Sequence, residues 1–310
     1  MLLVSHIVAG VVLPVEEALY FVKASRQVMI LYSSAARSLG TSVEHFINEE
    51  NKMSIDSMEI APHLSQISIL PKDIVISSDR FLNDNGAGLI IFTSGTTGPP
   101  KGAVWPRGVI REAAKSVMDQ YELNCHDVIL HVLPVHHATG ITMTLTPFLM
   151  AGACIEFRSG SFSAEWMWHR WRDGGLTYFS GVPTIYLRMM RFFVQFISCL
   201  PEDQVMEFVR GANQFRGMLC GTSALPAPVQ EFWTKLRNGE SILTRYGGTE
   251  FGAVYKVPLG DKSIPIGSVG KVILGMDIKL SNGEEGEVLV KSPTMFSKLV
   301  LSSLKTEVVS

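Results

Sequence analysis

The chain has 310 residues, 46% of them hydrophobic and 18% charged, which suffices for one large core or two modest ones and excludes a disordered polypeptide. Lys and Arg number 27 against 29 Asp and Glu, so the formal net charge of -2 provides no global field for nucleic acid or an anionic membrane. Any nucleotide must be held locally.

The apolar segment Met1–Val15 has no basic n-region and is interrupted by Ser5, His6 and Pro14. It reads as a buried strand or helix cut from a longer parent, with a signal peptide as the alternative. Helical periodicity then covers Val15–Lys23, and a β-like run covers Gln27–Tyr32. Glu44–Arg80 reads as a polar, loop-rich insertion joining two halves of the first unit. Beyond it, strands are expected at Leu89–Phe92, Val128–Leu133, Ala153–Phe157, Tyr178–Gly181, Gly217–Cys220 and Ser241–Tyr246. Helices are expected at Arg107–Tyr121, Ala164–Arg172, Thr184–Cys199 and Pro226–Leu236. The alternation predicts an α/β fold with a mostly parallel sheet covered on both faces. Leu145–Ile155 falls short of the ~20 apolar residues that span a bilayer. It reads as a helix end and a buried strand, and no transmembrane segment is expected. After Tyr246 the pattern changes to short strands and Gly/Pro turns through Pro293, with Asn282-Gly283 as a hairpin signal, which predicts a small antiparallel or barrel-like unit. Cys125, Cys154, Cys199 and Cys220 are scattered without C-x-x-C or zinc spacing, which fits buried thiols in a reducing, intracellular setting.

The stretch with the most chemistry is Phe92–Gly102, F-T-S-G-T-T-G-P-P-K-G, which follows an apolar run. Thr93, Ser94, Thr96 and Thr97 offer hydroxyl donors, while Gly95 and Gly98 can adopt the positive φ that an anion-binding nest requires. Pro99 and Pro100 stiffen the exit, and Lys101 adds a compact positive charge for phosphate oxygens. A Walker A loop would need Gly-Lys followed by a hydroxyl, and a dinucleotide fingerprint would need a third glycine where Ile91 stands.

This loop resembles the signature segment of the adenylate-forming enzymes, and further motifs of that family follow in order. His136-His137-Ala138-Thr139-Gly140 after Leu133-Pro134 resembles P-x-x-H-x-x-G, with His137 at the matching position. Gly221-Thr222-Ser223-Ala224-Leu225-Pro226 resembles the adenine-side loop, and Tyr246-Gly247-Gly248-Thr249-Glu250 resembles Y-G-x-T-E. Gly267–Lys271 and Gly286–Val290 resemble the start of the following β-rich subdomain. The resemblance implies the large N-terminal domain of the adenylate-forming fold: layered α/β sheets over 1–250, part of a small β-barrel-like subdomain over 251–298, and an unmatched tail over 299–310.

It also implies an ATP-dependent acid–CoA ligase of the acyl-CoA synthetase type, with ATP, Mg²⁺ and coenzyme A as reactants and a small carboxylic acid as substrate. Thr93–Gly98 and Lys101 would hold the phosphates; Gly221, Thr222, Ser223, Tyr246 and Gly247 would hold the adenine side. Glu250, at the end of a strand, is the candidate magnesium ligand because a hard cation on a triphosphate needs carboxylate oxygen. Thr249 beside it can donate to the α-phosphate. His131, His136 and His137 form no zinc set, since neighbours on a strand face opposite ways and no carboxylate or cysteine completes it. His136 reads as structural, whereas His137 matches the position that closes over the acyl carboxylate. Lys101, His137, Thr249 and Glu250 thus form the expected catalytic set.

Arg188 and Arg245 match positions in the acyl pocket. An unpaired arginine there is costly unless the substrate brings a second carboxylate. Several stretches, among them Val182–Tyr186 and Arg245–Gly247, resemble the malonyl-CoA synthetase branch, which uses two such arginines for malonate. The alternatives are pairing of each arginine with an internal Asp or Glu, and a fatty or aryl acid as substrate. Trp166, Trp168 and Trp171 read as helical core packing, because no basic groove accompanies them. No counterpart of the family's T-G-D segment, hinge or mobile C-terminal domain with its lysine is found, so the isolated chain is expected to bind ATP weakly and not to turn over. A ligase fragment, a nucleotide-binding pseudoenzyme and a non-functional product stay open at this point. The compartment and oligomeric state are not distinguished.

Overall fold

The computed structural model describes residues 15–25, 29–50, 54–60, 83–93, 99–158 and 160–300, without the side chains of residues 16, 17 and 50. The first elements are α1 (Val15–Ser25), β1 (Met29–Tyr32), α2 (Arg37–His45), β2 (Asp56–Glu59), β3 (Ala87–Thr93) and β4 (Lys101–Pro106). Then come α3 (Arg107–Tyr121), β5 (Val128–His131), α4 (Ala138–Gly140), α5 (Thr146–Met150), β6 (Cys154–Phe157), α6 (Ala164–Arg172) and β7 (Tyr178–Gly181). Helices α7 (Pro183–Gln195) and α8 (Glu202–Asn213) precede β8 (Gly217–Cys220), α9 (Ala227–Leu236) and β9 (Leu243–Gly248). The chain closes with β10 (Gly252–Lys256), β11 (Lys271–Val272), β12 (Asp277–Asn282), β13 (Glu285–Lys291) and β14 (Lys298–Val300).

Two compact units result, one of residues 1–108 and 297–310 and the other of Val109–Phe296. In the first unit, β4 is the middle strand between β3 and β14, and both neighbours are antiparallel to it. A smaller parallel pair, β1 with β2, packs near an apolar cluster of Ala18, Val22, Val43, Ile47 and Ile55. The expected loop-rich insertion over Glu44–Arg80 is therefore corrected: Glu44 and His45 end α2, and Asp56–Glu59 is a paired strand. Residues 61–82 of that stretch lie outside the described residues.

The second unit is built on a seven-stranded sheet in the order β11-β10-β9-β8-β7-β5-β6, parallel from β6 to β9 and antiparallel thereafter. Alternate side chains feed two cores. Tyr178 and Leu219 pack with Val117, Tyr121 and Phe148 on one face, while Phe179 and Met218 pack with Trp168, Trp171 and Trp233 on the other. The hairpin expected at Asn282-Gly283 is present as β12 and β13.

Three further readings are corrected. Cys154–Phe157 is an edge strand and not a buried one; Phe157 is 60% exposed. Of the four thiols only Cys220 is buried, where desolvation pushes its pKa up to about 12. Trp168 and Trp171 are core residues, but Trp166 is exposed and carries the Arg158 guanidinium 4.4 Å above its ring.

Two polar anchors fix the strand ends. Arg216 Nη1 donates to both oxygens of the Asp127 carboxylate at 2.8 and 3.0 Å, joining the start of β8 to the start of β5. Arg237, 2% exposed, has no carboxylate partner among the described residues and donates instead to the carbonyls of Ala212, Phe215, Glu240 and Ser241. Replacing it by methionine strands those carbonyls, so Arg237→Met should cost about 3 kcal/mol of stability in urea unfolding. A loss under about 1 kcal/mol would show that water reaches them.

Candidate functional site

In open α/β sheets, ligands bind beyond the carboxyl ends of the strands, and here the predicted motifs emerge there. From β8 the chain passes into Gly221-Thr222-Ser223, with Thr222 at φ 75°. From β9 it passes through Tyr246, Gly247 and Gly248 into a hairpin with β10. Thr222, Ser223, Arg245, Tyr246 and Gly247 line one cavity of about 300 Å³. The Val257–Val269 loop supplies Ile264, Pro265, Gly267 and Ser268 to its wall.

Tyr246 is 40% exposed, so its ring presents a face to the cavity, and it leans on Tyr255 with centroids 6.2 Å apart. Gly221 flanks the cavity without lining it, and a Cβ there would meet nothing within 4 Å. Gly247 differs. A Cβ on Gly247 would lie 2.2 Å from the Gly252 carbonyl oxygen, so its missing side chain admits the β10 backbone, while Gly247 itself lines the cavity. Thr249 and Glu250 follow at the hairpin turn and do not line the cavity; the Glu250 carbonyl accepts from Phe296 N–H at 2.9 Å. Among the described residues no group of three or more His, Cys, Asp or Glu forms a metal cage. The partly exposed Glu250 carboxylate fits a magnesium ion that takes its remaining ligands from phosphate and water.

In the other unit, the register Thr93↔Lys101 sets the two ends of the signature loop opposite each other in the β3–β4 hairpin. Ser94, Gly95, Thr96, Thr97 and Gly98 lie outside the described residues. The base of that loop is fastened by residues the sequence reading did not single out. Tyr20 Oη donates to the Pro100 carbonyl, and the Phe21 ring meets Phe92 edge to face at 4.7 Å.

His137 caps α4, with Nδ1 accepting from Thr139 N–H at 3.3 Å; partial desolvation and the neighbouring His136 hold its pKa below the usual imidazole value. His131 is buried in β5 and contacts Thr144 Oγ1 through Nδ1 at 3.3 Å, while its Nε2 has no partner among the described residues. Desolvation favours its neutral form.

The two arginines part ways. Arg188 is exposed and stacks over Phe162 at 4.3 Å, which corrects the picture of a pair of buried guanidinium groups. Arg245 is 7% exposed, reaches the Met143 carbonyl with Nη1 at 3.5 Å, and leaves Nη2 without a partner. Neither forms an ion pair with an Asp or Glu among the described residues.

A mostly parallel α/β sheet with glycine turns and a cavity of about 300 Å³ at its carboxyl edge defines a ligand-binding α/β domain. The chain belongs to the AMP-binding enzyme family, whose model matches residues 8–299. It is 34% identical over 235 residues to a malonate–CoA ligase of Arabidopsis thaliana, covering 71% of this chain and 37% of that protein. It is 30% identical over 246 residues to the mitochondrial malonate–CoA ligase of Homo sapiens, covering 68% and 42%. An acyl-CoA ligase of Aspergillus oryzae is 32% identical over 220 residues, covering 71% and 40%. The chain thus spans about two-fifths of the length of these curated relatives. Its fold matches a solved malonyl-CoA ligase complex with methylmalonyl-CoA and AMP at a TM-score of 0.72 and 24% identity, covering 91% of this chain and 56% of that one. An o-succinylbenzoate coenzyme A synthetase from Bacillus subtilis, solved with AMP, gives a TM-score of 0.70 at 21% identity, with 93% and 55% covered.

Space around the two glycines separates their roles. Gly247→Ala should lower the melting temperature sharply, whereas Gly221→Ala should leave it within about 2 °C in a thermal scan. The cavity loop is clamped by Asp261, which accepts from Lys271 Nζ at 2.8 Å and from Ser263; these bonds, the Lys271 one foremost, depress its pKa to about 2. The folded-state value lies below the unfolded one, so the clamp is complete above about pH 4 and is lost as pH falls toward 2. Lys271→Met should raise the Asp261 pKa in a carboxyl NMR titration.

Proposed function

We propose that this chain carries the nucleotide- and acid-binding part of an ATP-dependent acid–CoA ligase acting on malonate or a related short dicarboxylic acid. The observation that carries the substrate class is Arg245: a guanidinium buried at the cavity strand, without a carboxylate partner among the described residues, is left for the substrate to neutralise. Similarity to malonate–CoA ligases from Arabidopsis thaliana and Homo sapiens supports the same reading.

In this reading Tyr246 stacks on adenine, and the Gly221–Ser223 backbone lies along its edge. The hydroxyls of the Thr93–Gly98 loop and Lys101 grip the β- and γ-phosphates. The acid carboxylate attacks the α-phosphate, pyrophosphate leaves, and the acyl-adenylate passes to coenzyme A. Lys101 and Thr249 stabilise charge that grows on the phosphate oxygens, an electrostatic contribution made before any bond to sulfur forms. Glu250 would hold Mg²⁺, which supplies Lewis-acid neutralisation of the triphosphate. His137, neutral by its surroundings, shapes access for the acid. Free cysteines support an intracellular setting.

Calorimetric titration tests the assignment. AMP should bind the wild-type protein, and Tyr246→Ala should weaken it about tenfold by removing the stacking face. Lys101→Ala should weaken ATP while sparing AMP. Malonate or methylmalonate should be preferred to fatty acids of any length; indifference among them would sink the dicarboxylate reading.

A further inference from the structure

Arg245 and Lys256 stand directly opposite each other in the antiparallel β9–β10 pair, so two cations share one face of the sheet. Directly opposed like charges destabilise a sheet, and such a pair persists only where something answers it. Both lean on the same ring: the Arg245 guanidinium carbon lies 5.9 Å and the Lys256 Nζ 5.7 Å from the centroid of Tyr121. One aromatic quadrupole offsets only part of the charge of two cations.

No carboxylate does the rest. Neither residue enters an ion pair among the described residues, and Lys256 is pulled below its ordinary pKa by desolvation with no acid acting the other way. Tyr121 is fully buried with its hydroxyl turned to the Arg245 guanidinium, and Arg245 Nη2 reaches no acceptor with good geometry among the described residues. The cluster therefore offers two positive charges and the unfilled Arg245 Nη2 donor beside the Met143 carbonyl. That set is complementary to a small anion with at least two acceptor oxygens. Its position selects the anion. Arg245 lines the same cavity as Tyr246, and Lys256 stands across from Arg245 at that cavity strand, so the two cations are placed beside the nucleotide, where the acid must reach.

We infer that Lys256 is a specificity-determining residue that, with Arg245 and the Tyr121 hydroxyl, binds the remote carboxylate of a short dicarboxylic acid. This rests on the dicarboxylate reading above and adds a second cation to it. A residue kept for the ligand and not for the fold has a signature: its removal weakens one class of acid and relieves the sheet.

Calorimetry with malonate and, separately, butanoate, each with AMP present, tests this on wild-type protein, Lys256→Met and Lys256→Arg. Lys256→Met should lose about tenfold or more in malonate affinity, hold butanoate within about twofold, and melt at the same or a higher temperature. Lys256→Arg should recover most of the malonate affinity, and Lys256→Ser serves as the second neutral variant if the methionine does not fold. Unchanged malonate affinity in the neutral variants, an equal loss for both acids, or a lowered melting temperature overturns the role of Lys256 and leaves the dicarboxylate reading standing. Wild-type protein that binds neither acid, or prefers butanoate, overturns both.

Discussion

Trp168 and Trp233 stack with centroids 5.6 Å apart and planes 14° from parallel, both fully buried. Each indole N–H donates to a carbonyl of α7, Trp168 to Met189 at 3.0 Å and Trp233 to Tyr186 at 3.2 Å. Three helices are thereby fixed to one another with no unsatisfied donor at the stack itself. The Tyr186 hydroxyl carries the constraint onward by donating to the Leu219 carbonyl in β8 at 2.8 Å. Since the adenine-side loop leaves the sheet two residues later, its origin is set by this aromatic layer. Burial of the Tyr186 phenol keeps it neutral, so the relay does not titrate in the physiological range.

The parts of this architecture that were readable in the sequence are those whose signals are local. Tyr178–Gly181 and Gly217–Cys220 are short apolar runs buried on both faces, and helices such as Arg107–Tyr121 and Ala164–Arg172 show their period directly. Strand β4 was not readable, because Lys101-Gly102-Ala103 after two prolines has the look of a loop exit. Its identity comes from pairing with β3 nearby and with β14 almost two hundred residues on. Helix α8 was missed among acidic residues, although Val205, Phe208, Val209 and Ala212 recur at helical spacing and Gly211 admits a close approach to the Trp171 carbonyl.

The candidate site divides the same way. Thr222, Ser223, Tyr246 and Gly247 belong to contiguous motifs, so the resemblance to the adenylate-forming enzymes drew them out. Arg188 was misjudged because sequence does not tell which helical face meets solvent, and here Phe162 shelters an exposed guanidinium. Lys256 and Tyr121 carried no motif. They come together with Arg245 only through the register of β9 on β10 and the packing of α3 beneath it.

Thr222 is a β-branched residue at φ 75°, a region that only glycine enters without strain. Such a conformation costs on the order of 1–3 kcal/mol and is kept by its surroundings. The fold meets that cost before a ligand arrives, so the turn beside the cavity brings no ordering entropy to the binding event. Stability and affinity are consequently in tension at this one residue: a glycine would relax the folded chain locally while returning freedom that the ligand would then have to remove.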